Sequence, residues 1–261
     1  MRILLTNDDG IHAPGMAVLE EIAAQLSDDL WVVAPLEEQS GAGHSLTLSQ
    51  PIRVQQFGPR RFGVRGTPTD SVMMALGKLV DGRRPDLVLS GVNRGANLAE
   101  DVTYSGTVSA AMEGTLAGVP SIALSQATIE RPVGAEAFAP ARAFGVAVIR
   151  QLLATGWGTG GHKGVLMNVN FPPHDVAQIK GVRVTEQGFR DLGATVIEER
   201  IDVRGFPYYW FGLGREIREP GHETDIKAMR EGYVSVTPLH LDLTHRESMA
   251  ALTAGFEGFT R

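Results

Sequence analysis

The sequence predicts an α/β fold: a Rossmann-like, doubly wound and mostly parallel sheet with a C-terminal extended arm or hairpin. Three observations predict it. The first 35 residues spell strand, helix, strand. Short apolar runs then alternate with helical patterns to about residue 172, as parallel βαβ units require. From residue 180 the texture changes to polar, Arg/Glu-rich sequence around the apolar tetrapeptide YYWF at 208–211.

The elements follow in order. RILLT (2–6) is a short apolar run and the first strand. Met16, Leu19, Ile22, Ala23 and Leu26 share one helical face, with Pro14 tolerated near the first turn. LWVVAP (30–35) is a second buried strand, and the polar, Gly/Ser-rich loop 36–50 after it is long enough to suggest function. RVQQF (53–57) and RFGVR (61–65) form a hairpin. Thr67, Pro68 and Asp70 spell a capping box at the start of a helix over 66–80. DLVLSG (86–91) is a strand, 106–120 a small-residue helix, SIALS (121–125) a strand, 135–154 a helix and GVLMNVNFP (164–172) a strand. Strands are expected at 181–186, 207–213 and 233–239, and helices at 224–232 and over ESMAALTAGF. The chain divides into a single domain, with a core of about 1–180 plus 224–261 and an arm of about 181–223. YYWF either packs within that second part or meets a partner subunit. The Arg/Glu-rich strands around it favour a subunit contact.

At 261 residues, with 43% apolar and 21% charged, the chain can bury one large core. A net charge of −6 gives no global field for nucleic acid or an anionic membrane, so any anion must be bound by a local device. The absence of cysteine excludes disulfides, thiolate nucleophiles and Cys-based zinc sites. The opening MRILLTNDD does not read as a signal peptide, and no run approaches the roughly 20 apolar residues of a membrane span. A cytoplasmic enzyme is expected.

Ligands of open α/β sheets bind at the carboxyl ends of the strands. Strand one delivers Asn7, Asp8, Asp9 and Gly10 there, and strand two leads to Ser40, Gly41, Gly43, His44 and Ser45. The strand at 86–90 delivers Ser90, Gly91, Asn93, Arg94 and Asn97, and the next helix begins at Ser105-Gly106-Thr107. All four segments are expected on one rim. Adjacent side chains on a regular strand face opposite ways, so Asp8 and Asp9 converge only if the strand breaks, as Gly10 allows. Two close carboxylates raise each other's pKa unless a cation lies between them, and Asp, Ser and Asn offer only oxygen, which suits Mg²⁺, Mn²⁺ or Ca²⁺. Asp-Asp-Gly is equally ordinary turn chemistry, and SGVNRGAN can be a plain Asn/Gly loop. Gly106, flanked by two hydroxyls before a helix, suits an anion, and Ser105 or Thr107 suits plain N-capping with the same amides.

Other patterns lead nowhere. GTGGHKG (158–164) precedes a strand and lacks a Lys-Ser/Thr ending, so it reads as a turn. There is no G-x-G-x-x-G after strand one, no G-x-S-x-G elbow and no H-E-x-x-H. His12 and His44 read as loop histidines, and GTPTD as a helix start.

Taken together, RILLTNDDGIHAPG, VVAP, QSGAGHSLT, GTPTDSV, PDLVLSGVNRGAN, DVTYSGTVSAAMEG, GVPSIALS and GYVSVTPLHLDLT, in this order, resemble the SurE family of stationary-phase survival proteins, known as 5′/3′-nucleotidases. The resemblance covers nearly the whole chain. It implies a phosphomonoesterase with a Rossmann-like core that depends on one divalent metal ion, Mg²⁺ or Mn²⁺, and hydrolyses nucleoside monophosphates, with short polyphosphate a further substrate in some members. It carries the metal ligands to Asp8, Asp9, Ser40 and Asn93, with Asp8 and Asp9 catalytic. It carries phosphate binding to Asn97, Ser105, Gly106 and Thr107. It implies a homodimer or homotetramer that exchanges C-terminal elements, which suits an arm used in oligomerisation. Ser71 stands where some relatives have Cys, and 187–222 is hard to match. A water nucleophile is preferred over an aspartate, since a metal-tied carboxylate attacks poorly. Two rival classes are a non-catalytic nucleotide-binding sensor and an aspartyl-phosphate phosphatase. The latter wants Asp-x-Asp where this chain has Asn-Asp-Asp-Gly.

Overall fold

The computed structural model describes residues 1–128, 135–157, 164–191, 195–213, 216–217, 222–257 and 259. The chain runs β1 (Arg2–Thr6), α1 (Pro14–Ala24), β2 (Asp29–Pro35), β3 (Arg53–Gly58), β4 (Arg61–Arg65) and α2 (Pro68–Met74). It continues with β5 (Leu87–Arg94), α3 (Gly106–Leu116), β6 (Ser121–Gln126), α4 (Ala139–Ala154) and β7 (Val165–Phe171). The last part holds β8 (Val182–Val184), β9 (Arg190–Asp191), β10 (Thr195–Ile201), β11 (Pro207–Leu213), β12 (Glu216–Ile217), α5 (Asp225–Arg230), β13 (Val234–His240) and α6 (Arg246–Gly255).

Nine strands form one sheet in the order β3-β4-β2-β1-β5-β6-β7-β13-β8. Every pairing from β4 to β7 is parallel, while β3 runs antiparallel to β4 and β13 to β7. From β1 the chain steps to one side for β2 and later crosses to the other for β5. The gap between the ends of β1 and β5 is therefore the topological switch point, where open α/β sheets open a crevice.

The apolar strands are buried on both faces because helices cover both. Ile3 and Leu5 of β1 join Met16, Leu19 and Ile22 of α1 and Ile149 of α4 in one core layer. Leu4, between them, points the other way, toward Val33, Val64, Val72 of α2 and Ala110 of α3. Each such fully buried Leu or Ile contributes roughly 1.5–3 kcal/mol. Thr67 caps α2 in the expected box with Asp70, and Ser105 caps α3 by accepting from the Val108 amide at 3.0 Å.

Several expectations are refined. The helix expected to 80 ends its α-helical part at Met74 and closes in a π-turn over Ala75–Leu79. The 19-residue segment Glu136–Ala154 contains an 18-residue window of mean hydropathy 1.2, nearer a membrane span than the sequence reading allowed. In this fold it packs on α1, and its Arg142 pairs with Glu21 at 2.6 Å. An arm is expected from about 181, and residues 182–184 of that stretch belong to the main sheet. β8 pairs in parallel with β13, so the chain leaves the sheet only after Val184. Strand β10, unmarked in the sequence, pairs antiparallel with β11 as a hairpin separate from the main sheet. Residues 158–163 of the Gly-rich stretch lie outside the described residues, as does part of 187–222.

Candidate functional site

Strand β1 ends at Thr6, and the chain breaks as expected. The Asn7 side-chain amide donates to the Gly10 carbonyl at 2.8 Å, closing a turn that carries Asp8 and Asp9. The Gln39 amide donates to the Asp8 carbonyl at 2.8 Å, so the loop after β2 is stitched to the same turn. The two carboxylates then part company. Asp8 Oδ1 accepts from the Thr107 hydroxyl at 2.5 Å, while Asp9 Oδ2 accepts from the Arg94 amide at 2.9 Å. Asp8 thus faces the first turn of α3, and Asp9 faces the end of β5. Gly106 makes the first contact possible: a Cβ there would lie 2.7 Å from Asp8 Cβ.

The electrostatics of the pair are unfavourable in the protein alone. Burial pushes the Asp8 carboxyl up to about 6, against the pull of the Thr107 hydroxyl, and the neighbouring Asp9 charge raises it further. Burial also raises Asp9. The Arg94 amide and guanidinium oppose that shift, and Glu38 adds to it. A hard cation suits this donor set, since the oxygens are paired, desolvated and short of positive charge. Among the described residues no group of three His, Cys, Asp or Glu could hold an ion, so its remaining ligands would be neutral oxygens. The buried Asn7 Oδ1 and Ser90 Oγ, both without a hydrogen-bond partner, show that such oxygens lie uncommitted around the turn.

The expected residues occupy distinct positions. Ser40 lies in the loop after β2, its hydroxyl donating to Glu38 Oε1 at 2.8 Å. Asn93, near the end of β5, donates its Nδ2 to the Gly95 carbonyl at 3.1 Å, which leaves Oδ1 outside that bond. Ser105, Gly106 and Thr107 form the N-terminus of α3 beside Asp8. Asn97 is buried as well and bonds elsewhere. Its amide donates to Asn170 Oδ1 at 2.8 Å and its Nδ2 to Ser125 Oγ at 2.8 Å, and its carbonyl accepts from Asn168 and Asn170. A cavity of about 160 Å³ adjoins Asp9, lined by Ala13, Pro14, Gly15, Glu38, Arg94 and Phe138.

Sequence reasoning missed four parts of this arrangement. Asn168 and Asn170 hold Asn97 in place, and their signal was two polar residues alternating inside an apolar strand. Asp70, read only as a helix cap, also accepts from the Thr47 amide at 3.0 Å and hydroxyl at 2.6 Å, pinning the far end of the 36–50 loop. Asp225 accepts from the Ala99 amide at 2.8 Å and the Gly188 amide at 2.9 Å, tying the segment after Asn97 to the base of the arm. Glu38 gave no signal, because a glutamate in a polar loop is unremarkable.

Comparison with known proteins supplies the rest. The model of the family described as "Survival protein SurE" matches residues 3–194. A protein of Rhizorhabdus wittichii named 5′-nucleotidase SurE is 57% identical over 255 residues, spanning 97% of this chain and 99% of that one. A protein of Erythrobacter litoralis with the same name is 54% identical, spanning 98% and 100%. The crystal structure of the SurE protein from Aquifex aeolicus superposes with a TM-score of 0.80 at 39% identity, covering 97% of this chain and 99% of that chain.

Proposed function

The chain belongs to the SurE family, and on that footing we propose that it is a 5′-nucleotidase, a divalent-metal-dependent phosphomonoesterase that converts nucleoside 5′-monophosphates and water to nucleosides and phosphate. Nucleoside 3′-monophosphates and short polyphosphate present a similar terminal phosphoryl group, and the proposal includes them as further substrates. The observation that carries it is the bond from Thr107 to Asp8, which joins a carboxylate pair to the N-terminus of an 11-residue helix at the switch point of the sheet.

Asp8 and Asp9, with Ser40 and Asn93, would hold one Mg²⁺ or Mn²⁺. The ion supplies Lewis-acid polarisation of the phosphoryl group and offsets the paired negative charge. The first turn of α3, with Asn97, orients the remaining phosphoryl oxygens as charge shifts onto the leaving group. Thr107 and the Arg94 amide each fix one carboxylate in place. That restraint favours water over either aspartate as the nucleophile. In a single turnover in ¹⁸O-water, label is expected directly in the released phosphate. Label found in an enzyme carboxylate would overturn the water route.

The subunit organisation is part of the same proposal. The chain is read as one domain with an arm after Val184, and the exposed β10–β11 hairpin and α6 are read as the contacts of a homodimer or homotetramer. Phosphate release from a panel of nucleoside 5′- and 3′-monophosphates, with Mg²⁺, Mn²⁺ or EDTA, tests the activity. Release should require the ion and fall on the order of a hundredfold or more in Asp9→Ala. A folded wild type that releases no phosphate with either ion would sink the nucleotidase reading in favour of a binding module.

A further inference from the structure

We propose that Arg94 is a phosphate-binding residue of this site, held away from the incoming phosphoryl group by Glu38 until substrate arrives. The inference rests on the phosphomonoesterase reading above and adds a side chain that the expected ligand and phosphate sets do not contain. Arg94 does two separable things. Its backbone amide orients Asp9 at 2.9 Å, while its guanidinium leans away, with Nη2 3.1 Å from Glu38 Oε1 and 4.0 Å from Asp9 Oδ1. The longer distance is no hydrogen bond, so the fork of donors next to Asp9 is not committed to it.

The tether to Glu38 is weak by construction. Both side chains are about half exposed, at 46% and 51%, and an ion pair in that much water contributes little. A phosphate dianion offers the guanidinium a bidentate, charge-assisted alternative, the geometry that arginine suits better than lysine. A place for it exists. The cavity beside Asp9 is walled by both Arg94 and Glu38, and its volume of about 160 Å³ leaves room for several waters. The need exists as well. Asp8, Asp9 and Glu38 put three carboxylates at a rim that must admit an anion, in a chain of net charge −6. The same Glu38 oxygen also accepts the Ser40 hydroxyl at 2.8 Å, so one side-chain movement frees both the guanidinium and an expected metal ligand.

The test is calorimetric titration of inorganic phosphate into the full chain at saturating Mn²⁺, for wild type, Arg94→Ala, Arg94→Lys and Glu38→Ala. Each variant is first matched to wild type by thermal unfolding. Arg94→Ala keeps the backbone amide on Asp9, so it removes only the guanidinium. Phosphate affinity is expected to fall about tenfold or more in Arg94→Ala, to recover in part in Arg94→Lys, and to rise in Glu38→Ala. The KM for a nucleoside monophosphate and for p-nitrophenyl phosphate should rise together in Arg94→Ala, because the contact is to the phosphoryl group that both share. Phosphate affinity within twofold of wild type in a folded Arg94→Ala would overturn the inference, as would a KM change confined to the nucleotide. Unchanged or weaker phosphate binding in Glu38→Ala would remove the tether. A wild type that binds phosphate but hydrolyses no ester would defeat the proposed activity while leaving Arg94 to be judged on binding. A wild type that hydrolyses normally with Arg94→Ala unaffected would defeat the Arg94 inference alone.

Discussion

The turn after β1 and the β10–β11 hairpin depart from ordinary folding preferences in opposite directions. At the turn, Asp8 is 4% exposed and its charge is desolvated next to a second carboxylate. On the hairpin, Trp210 is 59% exposed and Phe211 77%, and aromatic surface that would stabilise a core faces water. Folding of a lone chain favours neither. The turn is held by its own Asn7 bond and by hydrogen bonds from the loop after β2, from β5 and from α3, so its cost is locked into a rigid frame. The hairpin stands apart from the main sheet, and an isolated two-stranded ribbon has little stability of its own. Each cost points outside the chain. A buried anion pair calls for a cation, and an exposed aromatic ribbon calls for another apolar surface.

Asp8→Asn offers the largest test of the first half of that contrast. Asn keeps an acceptor for the Thr107 hydroxyl while removing the buried charge. With the folded carboxyl at about 6 and the free value at 3.8, the wild-type chain without metal gains a proton on folding between those values. Stability from that proton is fully present below about pH 4 and lost as pH rises through 6, amounting to about 3 kcal/mol. Urea unfolding in EDTA should therefore show Asp8→Asn more stable than wild type above pH 6 by up to that amount. The advantage should shrink toward pH 4, and nucleotidase activity should be lost at every pH. Equal stability at pH 7.5 would mean that the turn carries no charge cost and that the contrast with the hairpin is false.

Gly106→Ala probes the rigidity of the same frame. The added methyl would sit 2.7 Å from Asp8 Cβ and 3.0 Å from Pro68 Cγ, so either α3 or Asp8 must shift. The expected cost is about 1–3 kcal/mol in unfolding free energy, with a marked fall in kcat/KM because the carboxylate moves off its position. Gly205 in the hairpin turn is the control. It has φ +86° but no atom within 4 Å of the added methyl, so Gly205→Ala should cost only about 1 kcal/mol for the backbone and leave kcat unaltered. Similar kinetic losses at both glycines would show that the site is less tightly built than its geometry implies.

What the sequence disclosed follows the reach of the interactions. The capping box of Thr67 and Asp70, the buried strands and the breaking of β1 at an Asp-Asp-Gly turn depend on residues within a few positions of one another, and all were legible. That Thr107 meets Asp8 across 99 positions, or that Asn168 and Asn170 hold Asn97 across 71 and 73, depends on strand order, which no local pattern carries. The antiparallel return of β13 beside β7 was hidden for the same reason. Strand β10 was missed on different grounds. A ribbon exposed on both faces needs no alternation of apolar and polar residues, and the run Glu198-Glu199-Arg200 masks it. The regions easiest to misread are thus the ones whose stability comes from elsewhere in the chain or from outside it.

The smallest expected effect on a single chain, and the sharpest on assembly, comes from Tyr208→Ser combined with Trp210→Ser, whose rings meet edge to face on one side of β11. Neither side chain is buried, so unfolding free energy of the dilute chain should change by no more than about 0.5 kcal/mol. If the exposed ribbon is covered by a second copy, the same change removes two large apolar contacts from the centre of that interface, where aromatic anchors dominate affinity. Sedimentation of wild type should then reveal a dimer or tetramer that shifts toward monomer in the double variant. An unshifted mass would mean that the aromatic face is not the contact. A large loss of stability in the monomer would mean that the hairpin folds back onto the core, and the contrast between a rigid, charge-burying turn and an unsupported ribbon would have to be abandoned.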